Sequence, residues 1–130
     1  MRMIYIAAAL ATIALGLFVH LRGEALGPVT RDVVGDALWA AMIAWWAGAL
    51  APRARLAVRS AGAYAVCAAV ELSQLVHTPA LDAVRATRVG HLLLGSGFDP
   101  RDLAAYALGI AGAALLEATL AGRAQGSELE

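Results

Sequence analysis

Met3-Ile4-Tyr5-Ile6-Ala7-Ala8-Ala9-Leu10-Ala11-Thr12-Ile13-Ala14-Leu15-Gly16-Leu17-Phe18-Val19-His20-Leu21 runs without one charged side chain. A helix of about 20 such residues covers roughly 30 Å of hydrocarbon, the thickness of a bilayer core. The run is apolar on every helical face, so no face is suited to water. It is continuous rather than alternating, which predicts a spanning helix and not a membrane β-strand. The start, Met1-Arg2-Met3, resembles a signal peptide. However, the run is long for one, and Val19-His20-Leu21-Arg22 offers no small-x-small cleavage site. The segment is expected to be a retained anchor.

Three further runs extend the pattern. Val33 to Ala51 contains one charge, Asp36. Leu56 to His77 contains Arg59 and Glu71, and Leu103 to Ala121 contains Glu117. The expected fold is all-α: an integral membrane four-helix bundle forming one domain over residues 1–123. Its spans fall near 3–21, 33–51, 56–77 and 103–121, and a polar tail at 124–130 is expected to fray. Composition agrees. Hydrophobic residues make up 61% of the 130-residue chain and charged residues 15%, against about 25% charged in soluble domains. Ten basic and ten acidic residues cancel, so no net field points to nucleic acid as a partner. The apolar content excludes disorder. A single cysteine, Cys67, cannot form an internal disulfide. His20, His77 and His91 lack metal-ligand spacing, so neither a metal nor a cofactor is expected.

The connections differ in kind. Arg22 to Asp32 reads as a short loop, and Pro52 to Leu56 as a tight turn flanked by Arg53, Arg55 and Arg59. Between spans three and four, Asp82 to Leu94 carries Val84, Val89, Leu92 and Leu93 against Arg85 and Arg88. That pattern predicts one short interfacial helix, ended by Gly95-Ser96-Gly97. Asp99-Pro100-Arg101-Asp102 then reads as an N-cap, a proline at the first helical position and an acid in the first turn. Ala61, Ala65, Ala68 and Leu72 form a small-residue stripe on span three, and Gly109, Gly112 and Ala113 form another on span four. Both are expected to be helix-packing surfaces. Trp39, Trp45 and Trp46 suit either interfacial belts or ordinary packing.

Antiparallel succession gathers the remaining charges at one end. Asp36 lies at the start of span two, Glu71 and Gln74 toward the end of span three, and Asp99, Asp102 and Tyr106 at the start of span four. Arg31, Arg85 and Arg88 lie in the connections on that face. Glu71 and Gln74 are i, i+3, and Asp102 and Tyr106 are i, i+4, so each pair shares a helix face. Glu71 lies roughly 9 Å below the end of its span at 1.5 Å per residue. A carboxylate in a span costs roughly 2.5–3.5 kcal/mol at mid-helix, so Glu71 is expected to pair with Arg85 or Arg88. The plainer readings are a structural ion pair at Glu71, helix-start roles for Asp99 and Asp102, and an interfacial Asp36. Glu117 lies toward the opposite end, where Arg59 or Arg123 is its expected partner. Each face carries five arginines. The unmixed cluster at the Pro52 turn favours cytoplasmic N- and C-termini.

Gly35-Asp36-Ala37-Leu38-Trp39, Val70-Glu71-Leu72-Ser73-Gln74-Leu75, Arg85 and Leu94-Gly95-Ser96-Gly97-Phe98-Asp99-Pro100-Arg101-Asp102-Leu103-Ala104-Ala105-Tyr106, with Gly109, together resemble the bacterial domain-of-unknown-function family 2809. That family is similar to VanZ-like membrane proteins, whose outline is a Glu-x-x-Gln helix, an Arg loop and an Asp-led last helix. Where VanZ-like proteins tend to have Asn, this chain has Tyr106. The resemblance implies a cell-envelope setting. The absence of lysine beside abundant alanine and arginine also suits a bacterial source, and hence the bacterial inner membrane.

The expected function is binding of an anionic, phosphate-bearing lipid or lipid-linked envelope precursor in the outer-face pocket. Arginine forks hold phosphate bidentately, and carboxylates would fix those forks. The candidate ligand-binding set is Arg31, Asp36, Glu71, Gln74, Arg85, Arg88, Asp99, Asp102 and Tyr106. One alternative is a membrane enzyme on lipid phosphates, with Glu71 or Asp102 as general base. No Ser/His/Asp or Cys/His set and no phosphate loop accompanies them. Another is a small transporter with dual-topology character, although a one-ended site departs from the midplane site of alternating access. Membrane lipid is the expected partner, and a homo-oligomer is left open.

Overall fold

In a computed structural model, which describes residues 2–94 and 97–128, six α-helices and one 3₁₀ turn follow one another. They are α1 (Arg2–Arg22), the 3₁₀ turn Gly23–Leu26, α2 (Pro28–Leu50), α3 (Leu56–Ser73), α4 (Pro79–Arg85), α5 (Arg88–Leu94) and α6 (Pro100–Glu128). No strand occurs among the described residues. Four of the helices, α1, α2, α3 and α6, are long and apolar enough to cross a membrane. The chain is an all-α membrane-spanning bundle.

Several boundaries differ from those expected, each for a local reason. The loop between α1 and α2 is shorter. Gly27 takes a positive φ of 79°, and Pro28, whose ring presets a helical φ, starts α2 five residues before Val33. Arg31 and Asp32 therefore belong to the helix. The third helix stops at Ser73 rather than His77. Its end tightens into i→i+3 bonds, Leu75 N–H to Leu72 O at 3.1 Å and Val76 N–H to Ser73 O at 3.0 Å. Leu75 and Val76 stay apolar without being helical, because hydropathy records burial in lipid and not backbone conformation.

The single helix expected over Asp82–Leu94 is two. The first is started by Thr78, whose hydroxyl accepts the Leu81 N–H at 3.2 Å, with Pro79 next. The second restarts at Thr87, whose hydroxyl accepts the Gly90 N–H at 3.0 Å. The expected Gly95-Ser96 stop lies outside the described residues. The α6 start matches the expectation: Asp99 Oδ1 accepts the Arg101 N–H at 3.0 Å, with Pro100 first in the helix. Its end does not. The residues after Gly122 continue the helix to Glu128 instead of fraying, Gly126 included; no proline interrupts them.

Helix α2 is central and packs against α1, α3 and α6, while α3 also packs against α6. The buried face of α3 is Arg59, Ala63, Cys67 and Glu71, a strict i+4 spine. The stripe of Ala61, Ala65 and Leu72 faces outward, so it is not the packing surface within this bundle. On α6 the small residues do serve packing at Gly109, where a Cβ would overlap the Ala37 carbonyl of α2, and at buried Ala113. Gly112 meets open space. Gly48 of α2 lies under the Tyr5 ring, with room for no side chain. Trp45 is buried with Tyr5, Ala9, Ala49 and Ala113. It is a packing residue rather than part of an interfacial belt.

At the end near the Pro52 turn, a polar latch joins three helices. Arg59 of α3 donates to both carboxylate oxygens of Glu117 on α6, at 2.6 and 3.2 Å, and its Nε donates to Ala54 O at 3.2 Å. Tyr5 of α1 donates its hydroxyl to the same carboxylate, and the guanidinium lies 5.1 Å from the Tyr5 ring centroid. Arg59, not Arg123, is thus the partner of Glu117.

Candidate ligand site at the polar end of the bundle

At the other end the helices separate. A cavity of about 720 Å³ opens between α1, α2, the end of α3, α5 and the start of α6. Its volume lies in the range of small-molecule sites. Along α2 the lining runs from Arg31 to Met42, roughly 16 Å at 1.5 Å per residue. The cavity therefore reaches from the end of the bundle about halfway through it. The deep wall is apolar, with Ile13 and Leu17 of α1 facing Leu38 and Met42 of α2. The outer wall is polar, with Arg31, Asp36, Gln74, Asp99, Asp102 and Tyr106. Those six residues of the expected set line one cavity.

The other three do not line it. Glu71 lies behind the wall with no exposed surface. Its partners are not Arg85 or Arg88, as expected, but neutral donors. The Tyr106 hydroxyl donates at 2.8 Å, the Asp99 backbone N–H at 2.8 Å and Gln74 Nε2 at 3.3 Å. Glu71 thereby ties the end of α3 to the start of α6. Arg85 is occupied elsewhere. Its Nη2 donates to Ser73 O at 2.7 Å and its Nη1 to Val76 O at 2.9 Å, so it caps the carbonyl end of α3. Arg88 is exposed. The cap explains the lost pairing: a guanidinium that reaches three-residue-spaced carbonyls satisfies several acceptors at once, whereas Glu71 is already saturated.

Within the cavity, Asp36 and Asp102 face one another within hydrogen-bonding reach, and Asp102 also approaches Glu71. Among the described residues no backbone N–H and no side chain other than a carboxyl donates to either aspartate side chain, and no basic group pairs with them. Arg31 has no carboxylate within salt-bridge distance among the described residues. Asp99 differs. It bonds Arg101 through a 3.0 Å ion pair and the Arg101 N–H, which together hold its carboxyl below the usual carboxylate range. Among the described residues no group of three or more His, Cys, Asp or Glu side chains is arranged to hold a metal ion.

Sequence reasoning missed three contributors. Trp39 lines the cavity with its ring centroid 5.5 Å from that of Tyr106. Its indole Nε1 is buried without an acceptor among the described residues. Its signal was present, one turn after Asp36 on the same face. The α1 wall and His91 carried no such signal, since neither follows a polar periodicity. Chemically, the site offers, among the described residues, a guanidinium without an ion-pair partner at Arg31, the facing Asp36 and Asp102 carboxyl groups, the rings of Trp39, Phe98 and Tyr106, and an apolar channel.

A family model described as Protein of unknown function (DUF2809) matches residues 26–110. No solved structure matches the chain. The matched stretch contains the six expected residues that line the cavity together with Glu71 and Arg85, and it leaves out α1 and the Glu117 end of α6. It covers well over half of the sequence, and the chain belongs to this family of proteins of unknown function.

Proposed function

We propose that this is a multi-pass protein of the bacterial inner membrane, termini on the cytoplasmic side, that binds a phosphate-bearing lipid or cell-envelope intermediate in the cavity. One observation carries the reading: the cavity is amphipathic along its length. A polar end built on Arg31, Asp36, Gln74 and Asp102 leads into an apolar channel between α1 and α2. That gradient matches an amphiphile whose head lies at the bundle end and whose chain enters the membrane interior. Arg31 supports the phosphate, because its guanidinium has no carboxylate partner among the described residues and a planar fork suits phosphate oxygens. With Arg85 capping α3 and Arg88 exposed, the anion-binding capacity narrows from three arginines to this one.

Native mass spectrometry of the purified protein tests the reading. One phospholipid-sized adduct should survive activation that strips bulk lipid, and Arg31→Ala should weaken its retention at least fivefold. Adducts that mirror the bulk lipid and ignore Arg31→Ala would count against it.

A further inference from the structure

The head end of the cavity is built as two matched halves. On α2, Asp36 is followed one turn deeper by Trp39. On α6, Asp102 is followed one turn deeper by Tyr106. All four line the cavity. The helices face one another so that the two carboxyl groups meet and the two rings meet, with centroids 5.5 Å apart. A carboxyl pair above an aromatic pair is the chemistry that receives an organic cation. Carboxylate oxygens take N–H donors or balance charge, and ring faces attract the cation electrostatically.

The alternatives to a cation are weaker on the same geometry. Among the described residues the two aspartates meet only other carboxyl groups, each other and Glu71; two carboxyl groups in contact either share a proton or take a cation, and ionisable groups in a span are sustained by partners or a wet cavity. An inorganic ion needs converging ligands. Both Glu71 oxygens are already taken by Tyr106, Asp99 and Gln74. A purely anionic headgroup would bring its charge against Asp36 and Asp102. Arg31 lies five residues, roughly 7.5 Å of helix rise, toward the bundle end on α2 and lines the same cavity, on the side where a phosphate adjoining the ammonium would emerge.

We propose that the site selects an ammonium-bearing amphiphile, with the ammonium between Asp36 and Asp102 over the Trp39 and Tyr106 rings and an adjoining phosphate at Arg31. This rests on the amphiphile reading above and names its head. A zwitterionic phospholipid with an ethanolamine head carries both groups in that order. A chain-bearing amine without phosphate shares the ammonium half alone.

The test offers the detergent-purified protein an equimolar mixture of phosphatidylethanolamine, phosphatidylglycerol and phosphatidic acid of one acyl composition, and reads retained adducts by native mass spectrometry. The wild-type chain should retain phosphatidylethanolamine at least tenfold over the other two. Asp36→Asn with Asp102→Asn should bring that ratio near one. Equal retention of all three by the wild type overturns the ammonium while leaving an amphiphile site intact. So does a preference for phosphatidic acid that disappears in Arg31→Ala. No retained lipid of any kind overturns the amphiphile reading itself. A second arm uses only the wild type, so it does not depend on the variant folding. Dodecylammonium should displace phosphatidylethanolamine, and dodecyl sulfate at the same concentration should not; equal displacement by both overturns the proposal. Displacement by ethylammonium alone, at the same concentration, would assign the site to free amines rather than lipid heads and overturn the requirement for a chain.

Discussion

Glu71 and Glu117 are both carboxyl groups inside membrane-spanning helices, yet they are handled differently. Glu117 has a guanidinium, and Glu71 has a phenol, an amide and a backbone N–H. Removing one donor from a buried carboxylate costs about 1.5–3 kcal/mol. Tyr106→Phe should therefore lower the melting temperature in detergent. An unchanged melting temperature would show that the 2.8 Å bond does not contribute. Removing one member of a buried ion pair costs about 3–5 kcal/mol, because the other is left uncompensated. Arg59→Leu and Glu117→Leu should each destabilise strongly, and the double variant should recover much of the loss. A double variant no more stable than the weaker single would refute the pairing. These residues also separate what was legible from what was not. The Arg59–Glu117 partnership followed from position along two spans, because opposite charges at equal depth in lipid have few other partners. The partners of Glu71 did not follow. A neutral phenol and a backbone N–H carry no charge signal, and the pull toward Arg85 overlooked that a helix end also competes for guanidinium donors.

At the scale of the element, the helices were legible and their ends were not. Apolar length located α1, α2, α3 and α6, but their termini are set by single side chains: Gly27 with Pro28, Thr78, Thr87, and Arg85 reaching back to Ser73 and Val76. Small residues were likewise legible as packing residues, whereas the face was not. Ala61, Ala65 and Leu72 share a helical stripe as well as Ala63, Cys67 and Glu71 do, and only the neighbours decide which turns inward. Gly109 provides a sharp check. A methyl there meets the Ala37 carbonyl, so Gly109→Ala should force α2 and α6 apart and cost about 1–3 kcal/mol. Gly112→Ala, which meets nothing, should be neutral or slightly stabilising. Equal melting temperatures for the two variants would contradict the close crossing. Arg85→Met should free the α3 carbonyls and loosen the hairpin of α4 and α5. Hydrogen exchange at residues 79–91 should then quicken while that of α2 stays unchanged; exchange that matches the wild type would show that Arg85 is not the clasp.

For the whole molecule, charge placement located the polar end, but the cavity itself was not legible. A void is a property of the distances between helices, and no single residue encodes it. It lies where α1 and α2 face the end of α3, α5 and the start of α6. The latch of Tyr5, Arg59 and Glu117 gathers the helices at the end away from the cavity. That latch has a consequence for biogenesis. Tyr5 and Glu117 are separated by 112 positions in the chain. The stretch between them, α2 and α3 included, must be made before α1 and α6 can be joined by this contact. Until α6 arrives, Arg59 has no carboxylate partner. A chain that stops short of Glu117 would hold the Arg59 cation uncompensated in the bilayer, so its bundle end would stay unpinned.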